Sequence, residues 1–352
     1  HLWRSARTMG SGPSLHAMSR QGSGGGDGAG EVTFTVLMEG TSNPMNAVTT
    51  QIALFSRLCI AEPLPSDGKT EQKLSAGHYK VSFAGCGVSH GMVGTLFAVG
   101  LREQCEVICS YVDAFLAEGL SVKLNFVGLS RGGIGGLYLA QQLTDLVERR
   151  GVQGNLVANL LLFDPVPGNL VWMARFLDWG GQMNTNQAMD VSACPVLGRV
   201  VVLYPCEPLP AIAFHAPLVA TFPKTCQVEA DVILGCHQGA LWLRPQADTC
   251  LSFARIRDFL QDCGSKLDCS KSLARELNVP DTHLAELLEE ELGRASPQTR
   301  CAHAASSGMS IVRHDRGTYL NRSHEALLRR LKQQPRADAG STCPKYMLDF
   351  AR

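Results

Sequence analysis

The pattern of apolar and polar positions changes abruptly after Gly30. Val32-Thr33-Phe34-Thr35-Val36-Leu37-Met38 is β-branched and aromatic, and it reads as a strand ending at Glu39-Gly40-Thr41. A helical run from about Ala47 to Ile60 follows, then a polar loop containing Pro63, Pro65 and Gly68. Tyr79 to Ala84 reads as a second strand, opening into a loop with Gly85, Gly87, Gly91 and Gly94. From about Leu101 to Glu118, Ile108, Val112, Phe115 and Leu116 fall on one helix face, and Gly119 is the stop.

Four more apolar runs complete the pattern: Val122 to Val127, Leu156 to Phe163, Val200 to Tyr204, and the shorter Asp231-Val232-Ile233-Leu234. Continuous apolar runs suit strands covered by helices on both faces. Strands alternating with helical runs predict a three-layer α/β fold with a mainly parallel central sheet. From about Leu251 onward the chain reads as helical, including Thr282 to Leu292 and Ser323 to Leu331, with Glu289, Glu290 and Glu291 on a solvated face. The expected organisation is a flexible tail over 1–30, an α/β unit over 31–265, and a helical extension over 266–352 packed on or beside it. Leu170 to Trp179, rich in large apolar groups, reads either as a lid or acyl-chain wall or as an ordinary helix packed on the core.

The sharpest chemical signal is Asn125-Phe126-Val127-Gly128-Leu129-Ser130-Arg131-Gly132-Gly133, a Gly-x-Ser-x-Gly turn between an apolar strand and a helical run. Ile134, Leu137, Leu139, Leu143 and Val147 supply the helix's apolar positions. A strand that reverses into a helix this tightly needs Gly128 and Gly132, and it holds Ser130 where its hydroxyl projects above the sheet edge, as in a nucleophile elbow. The backbone N–H of Arg131, in the helix's first turn, would face the same point and help hold a developing oxyanion. The competing reading is a serine that merely caps the helix.

A serine hydroxyl needs an imidazole to take its proton and a carboxylate to fix that imidazole's tautomer. Asp164 follows Leu160-Leu161-Leu162-Phe163 and precedes Pro165, so it stands where a buried strand opens into a loop. Of ten histidines, His237 is favoured as the base, because it follows a strand-like segment within Gly235-Cys236-His237-Gln238-Gly239; His215, in an apolar context, is the alternative. The Gly40-Thr41 turn is the expected source of the second oxyanion N–H, with a simple tight turn as the other reading.

Together these stretches resemble the α/β-hydrolase family that contains the type VI secretion phospholipase effectors. Members carry Asp-Gly-Thr after an early strand, then Gly-Phe-Ser-Arg-Gly-Ala, a strand ending Phe-Asp-Thr-Val, an Ala-x-Asp-Glu segment followed by Phe, and a late Gly-x-His-Ser-Asp-x-Gly-Gly. The corresponding stretches here are Glu39-Gly40-Thr41, Gly128-Leu129-Ser130-Arg131-Gly132-Gly133, Phe163-Asp164-Pro165-Val166, Ala211 to Ala216 ahead of Phe222, and Gly235-Cys236-His237-Gln238-Gly239. The order agrees from about residue 32 to 243. Glu39 stands where the family has Asp, Gly133 where it has Ala and His215 where it has Asp, and the Ser-Asp and paired Gly after the histidine are missing. The resemblance implies Ser130 as nucleophile, Asp164 as acid, His237 as base, and a lipid or phospholipid ester as substrate. A lipid substrate would bring the protein to a membrane surface. A non-lipid esterase or thioesterase, and a catalytically silent binding protein of the same fold, stay open beside it.

Composition narrows this modestly. Hydrophobic residues make up 45% of 352, enough for a substantial core, and 32 basic against 32 acidic residues point to no nucleic-acid partner. Thirteen cysteines are scattered from Cys59 to Cys343 with no Cys-x-x-Cys pair and no zinc spacing, which reads as buried thiols in a reducing, cytoplasmic setting and calls for no metal or cofactor. No apolar stretch approaches the roughly 20 residues of a spanning helix. Residues 1–30 are rich in Gly, Ser and Arg with Asp27 the one acid, which fits a plain tail. A transit peptide, or an N-myristoylation pattern at Met9-Gly10-Ser11-Gly12-Pro13-Ser14, are the sharper alternatives.

Overall fold

The apolar run after Gly30 becomes β1 (Glu31–Met38), a central strand of a seven-stranded sheet. The computed structural model describes residues 30–40, 44–45, 49–70, 73–85, 100–166, 188, 190–207, 218, 220–236, 242–268, 270, 273–280, 283 and 286, with the backbone alone at 205–207, 231–236 and 247. Residues 1–29 of the tail, the 170–179 segment and the run expected over 323–331 lie outside these residues, as does all but His283 and Glu286 of the run expected over 282–292.

The remaining strands are β2 (Glu62–Pro63), β3 (Gly77–Phe83), β4 (Ser121–Leu129), β5 (Leu156–Phe163), β6 (Leu197–Glu207) and β7 (Gln227–Cys236). Their spatial order is β2-β3-β1-β4-β5-β6-β7, and every neighbouring pair is parallel. All strand C-termini therefore share one edge. The helices are α1 (Gln51–Leu58), α2 (Leu101–Ala117), α3 (Arg131–Arg150), α4 (Ala247–Asp262) and the short α5 (Leu273–Glu276).

Strand alternation sorts the core into two layers. Val32, Phe34, Val36, Val122, Leu124 and Phe126 pack with α2 and α3 through residues such as Ile108, Phe115, Leu137 and Leu143. Leu37, Val127, Leu129, Leu161 and Phe163 face the other way and pack with Ile52 and Phe55 of α1 and Ile256 and Phe259 of α4. This is the predicted three-layer arrangement. Phe34 anchors the first layer by meeting Tyr111 and Phe115 edge-on, with ring centroids 6.1 and 5.7 Å apart.

Chain order makes the C-terminal ends of β1 and β4 special. From β1 the chain leaves over one face by α1 to β3, whereas from β4 it leaves over the opposite face by α3 to β5. The connections diverge there, opening a crevice at a topological switch point, where open α/β sheets bind their ligands.

The second layer also holds a polar row. Thr35, Asn125 and Asn159 are register partners on β1, β4 and β5, all buried. Asn159 donates to Asn125 Oδ1 (3.0 Å), and Asn125 donates to the Cys263 carbonyl and the Ser265 hydroxyl (both 2.9 Å). Thr35 and Ser265 share a further hydroxyl contact of 2.8 Å. The row thus fastens the chain just after α4 beneath the sheet.

Several element limits differ from expectation for identifiable reasons. β2 lies inside the expected polar loop, because it pairs only through backbone with Tyr79 and Lys80 and is exposed on both sides. β6 begins before its apolar run, at Leu197, since Arg199 is neutralised laterally by Glu229 (2.9 Å) and Asp262 (3.2 Å). β7 extends back to Gln227 because an edge strand needs only one partner and tolerates exposed residues such as Gln227 and Val228. The seven cysteines whose side chains are described are free thiols; burial pushes Cys109 up to about 12 and Cys105 further. No helix among the described residues is long and apolar enough to cross a membrane.

Candidate active site

β4 ends at Leu129 and α3 begins at Arg131, so Ser130 alone carries the reversal. Its backbone takes φ 57° and ψ −118°, a conformation that L side chains seldom adopt, at a cost on the order of 1–3 kcal/mol. The surroundings over-determine it. The Ser130 N–H donates to the Phe163 carbonyl (2.9 Å), and its own carbonyl accepts from the N–H groups of Gly133 (3.0 Å), Ile134 (3.4 Å) and Val166 (3.4 Å). Although Ser130 occupies the N-cap position of α3, its side chain makes no capping hydrogen bond. The hydroxyl is therefore not committed to the helix, and the capping alternative loses its basis.

The two expected glycines are steric necessities. A Cβ at Gly128 would overlap the Gly132 carbonyl, whose carbon would lie 2.6 Å away. A Cβ at Gly132 would lie 2.7 Å from the Met38 carbonyl oxygen and 2.9 Å from that of Glu39. The first turn of α3 thus rests directly on the end of β1, an approach that only a residue without a side chain permits. Arg131 opens that helix and is buried, and a first turn presents its N–H groups toward the sheet edge where Ser130 stands.

Asp164 is the first residue past β5, buried, with φ 41°, and its N–H donates to the Leu203 carbonyl (2.8 Å). Leu129 and Phe163 are register partners, so Ser130 and Asp164 are consecutive neighbours along the edge. The loop after Asp164 is held by Leu218, whose N–H donates to the Pro165 carbonyl (2.8 Å) and whose carbonyl accepts from the Tyr204 hydroxyl (3.3 Å).

At the end of β1, Glu39 is 2% exposed. Its N–H donates to the Phe83 carbonyl (3.1 Å), and its Oε2 accepts from the Gly40 N–H (3.2 Å). Its Oε1 accepts from the Thr50 hydroxyl. Neither Glu39's carboxylate nor Thr50 was singled out by sequence as part of the site; a buried acid beside an expected oxyanion turn was the available signal. Thr41, His215 and His237 lie outside the described residues. β7 ends at Cys236, opposite Glu207 of β6, so the strand preceding His237 terminates on the same edge as those preceding Ser130 and Asp164.

The structure therefore brings together Ser130, Asp164, Gly128, Gly132, Arg131 and Gly40 at the switch-point edge. Among the described residues, no group of three His, Cys, Asp or Glu side chains is placed to hold a metal ion.

No protein-family model matches the chain, and no curated protein matches it. In structure it is similar to the Tle1 effector bound to the VgrG spike of the type 6 secretion system, at 14% identity and a TM-score of 0.37, over 65% of this chain and 56% of that one. It is also similar to an uncharacterized protein from Pseudomonas aeruginosa, at 12% identity and a TM-score of 0.49, over 84% and 56% of the respective chains. Est1E from Butyrivibrio proteoclasticus is similar at 11% identity and a TM-score of 0.34, over 66% of this chain and 88% of its own. The match thus spans little more than half the length of the first two.

Proposed function

We propose that the protein is a serine hydrolase that cleaves a carboxylic ester, with Ser130 as nucleophile, His237 as general base and Asp164 as the acid that orients it. The observation carrying this reading is the strained, non-capping conformation of Ser130 at a strand-to-helix reversal on the switch-point edge. Strain of this kind persists where the surroundings enforce it, and at an elbow it has a purpose: it lifts the hydroxyl clear of both strand and helix.

In this mechanism His237 removes the Ser130 proton as Oγ attacks the ester carbonyl carbon, giving a tetrahedral oxyanion. Protonated His237 then passes that proton to the leaving alkoxide, and an acyl-enzyme remains. Water, deprotonated by His237, attacks the acyl carbon and frees Ser130 and the acid product. The Arg131 N–H supplies one oxyanion donor from the head of α3. The second comes from the turn after β1. Because the Gly40 N–H donates to the Glu39 carboxylate, Thr41 is the favoured donor of the Gly40 and Thr41 pair.

The substrate class is a lipid or phospholipid ester, a choice supported by the sequence resemblance and by the apolar 170–179 segment. A panel of short-chain aryl esters, long-chain glycerides, phospholipids and acyl thioesters, each assayed with wild type and Ser130→Ala, tests it. Turnover confined to thioesters or short-chain esters would replace the lipid assignment.

A further inference from the structure

We infer that Glu39 is a positioning residue for the Ser130 site, holding in one arrangement the three backbone segments that meet beside the elbow. The inference rests on the hydrolase reading above.

The first segment is the end of β1. Glu39 is buried, and both its carboxylate oxygens are engaged, Oε2 by the Gly40 N–H and Oε1 by the Thr50 hydroxyl. Binding its own neighbour's amide fixes the orientation of the Gly40 peptide, from which the expected oxyanion turn proceeds. The second segment is the entry to α1. The Thr50 oxygen that donates to Glu39 also accepts from the Ala53 N–H (3.2 Å), so a single hydroxyl caps the helix and grips the carboxylate. The third is the chain returning from β7. Thr50 pairs in an antiparallel bridge with Trp242, and the Leu243 N–H donates to the Thr49 carbonyl (2.9 Å). Thr249 in α4 adds a hydroxyl donated to the Trp242 carbonyl (3.3 Å). Trp242 lies five residues after His237 in sequence.

Against this bracket rests the elbow itself, since Gly132 approaches the carbonyl oxygens of Met38 and Glu39 too closely for any side chain. Glu39 therefore stands between the first turn of α3 and the segment leading back from the proposed base. A buried carboxylate is a poor source of stability, because its desolvation offsets its hydrogen bonds. What two convergent donors give it is a single geometry. Ester hydrolysis is sensitive to that geometry, since a misplacement of about 1 Å at reacting groups costs about a hundredfold in rate.

The test uses the full chain and four variants, Glu39→Gln, Thr50→Val, Thr50→Ser and the Glu39→Gln/Thr50→Val double, with kcat and KM on a hydrolysed ester, labelling rate with a fluorophosphonate, and thermal midpoint. Glu39→Gln keeps the shape but cannot accept from both donors. It is expected to lower kcat about tenfold or more while KM stays within about twofold. Thr50→Val gives a similar loss, Thr50→Ser regains most of it, and the double variant is no worse than the poorer single, because both remove one contact. If Glu39→Gln does not fold, the Thr50→Val and Thr50→Ser pair decides alone. Variants that lower the thermal midpoint yet keep wild-type kcat would make Glu39 structural only and overturn the inference, as would Thr50→Ser being as impaired as Thr50→Val. A wild type inert toward both ester and probe would sink the hydrolase reading and this inference with it.

Discussion

Ser130 and Asp164 each occupy the first position beyond the register pair Leu129 and Phe163, and each has a positive φ, 57° and 41°. Two adjacent parallel strands thus end in strained, buried polar residues at the crevice edge. The backbone ties them in sequence: Ser130 donates to Phe163, and Asp164 donates onward to Leu203. Strain at neighbouring strand ends is hard to account for as a folding device, since it opposes folding, and it fits a site whose side chains must be aimed.

The close approach at the elbow predicts that Gly128→Ala in β4 is damaging, and that Gly132→Ala is damaging even though alanine favours helices. Each added methyl would overlap backbone rather than a movable side chain. Each substitution should lower unfolding free energy by about 3 kcal/mol in urea denaturation, at the upper end of ordinary point mutations. Losses below about 0.5 kcal/mol would mean that the elbow is looser than described.

Much of this geometry was legible in the sequence. β5 matches its apolar run from Leu156 to Phe163, because a strand covered over most of both faces draws apolar residues at most positions, with Asn159 its one polar residue, and α2 ends where Gly119 required. The elbow was legible because its steric demands act on residue type directly, through Gly128 and Gly132. What escaped was lateral. Thr35, Asn125 and Asn159 meet only through strand register, Ser265 reaches them from the chain after α4, and no local spacing announces a contact between residues 35 and 265. Glu39 was visible as the residue following β1, but its link to Thr50 depends on how α1 enters.

Relief of strain separates two substitutions at Ser130. Glycine takes φ 57°, ψ −118° without a Cβ clash, whereas alanine inherits the full penalty. Ser130→Gly should be more stable than Ser130→Ala by about 1 kcal/mol, with both inactive. Matched thermal and chemical unfolding checks this; equal stabilities would remove the claim of strain.

Asn125 sits at the centre of the polar row, donating twice and accepting once. Asn125→Leu leaves the Cys263 carbonyl, the Ser265 hydroxyl and the Asn159 amide short of a partner beneath the sheet. An unsatisfied buried group costs about 1–3 kcal/mol, so a loss of at least about 2 kcal/mol is expected by urea denaturation, with turnover per folded molecule retained. A neutral effect would show that water or neighbours replace it readily.

Assignment of the proton carrier is tested by comparing His237→Ala, His215→Ala and Asp164→Asn on one ester. His237→Ala and Asp164→Asn should each lose about a thousandfold or more in kcat while remaining folded, and His215→Ala should keep appreciable activity. The reverse order for the two histidines would transfer the base role to His215.

The most direct measurement is covalent capture of the nucleophile. Wild type and Ser130→Ala are treated with a fluorophosphonate, which loses fluoride as it phosphonylates an activated serine, and the adduct is located by peptide mass spectrometry. A single adduct on Ser130 in wild type, and none in Ser130→Ala, is the expected result. A folded wild type that stays unmodified, or a Ser130→Ala protein that labels equally well, would contradict the account.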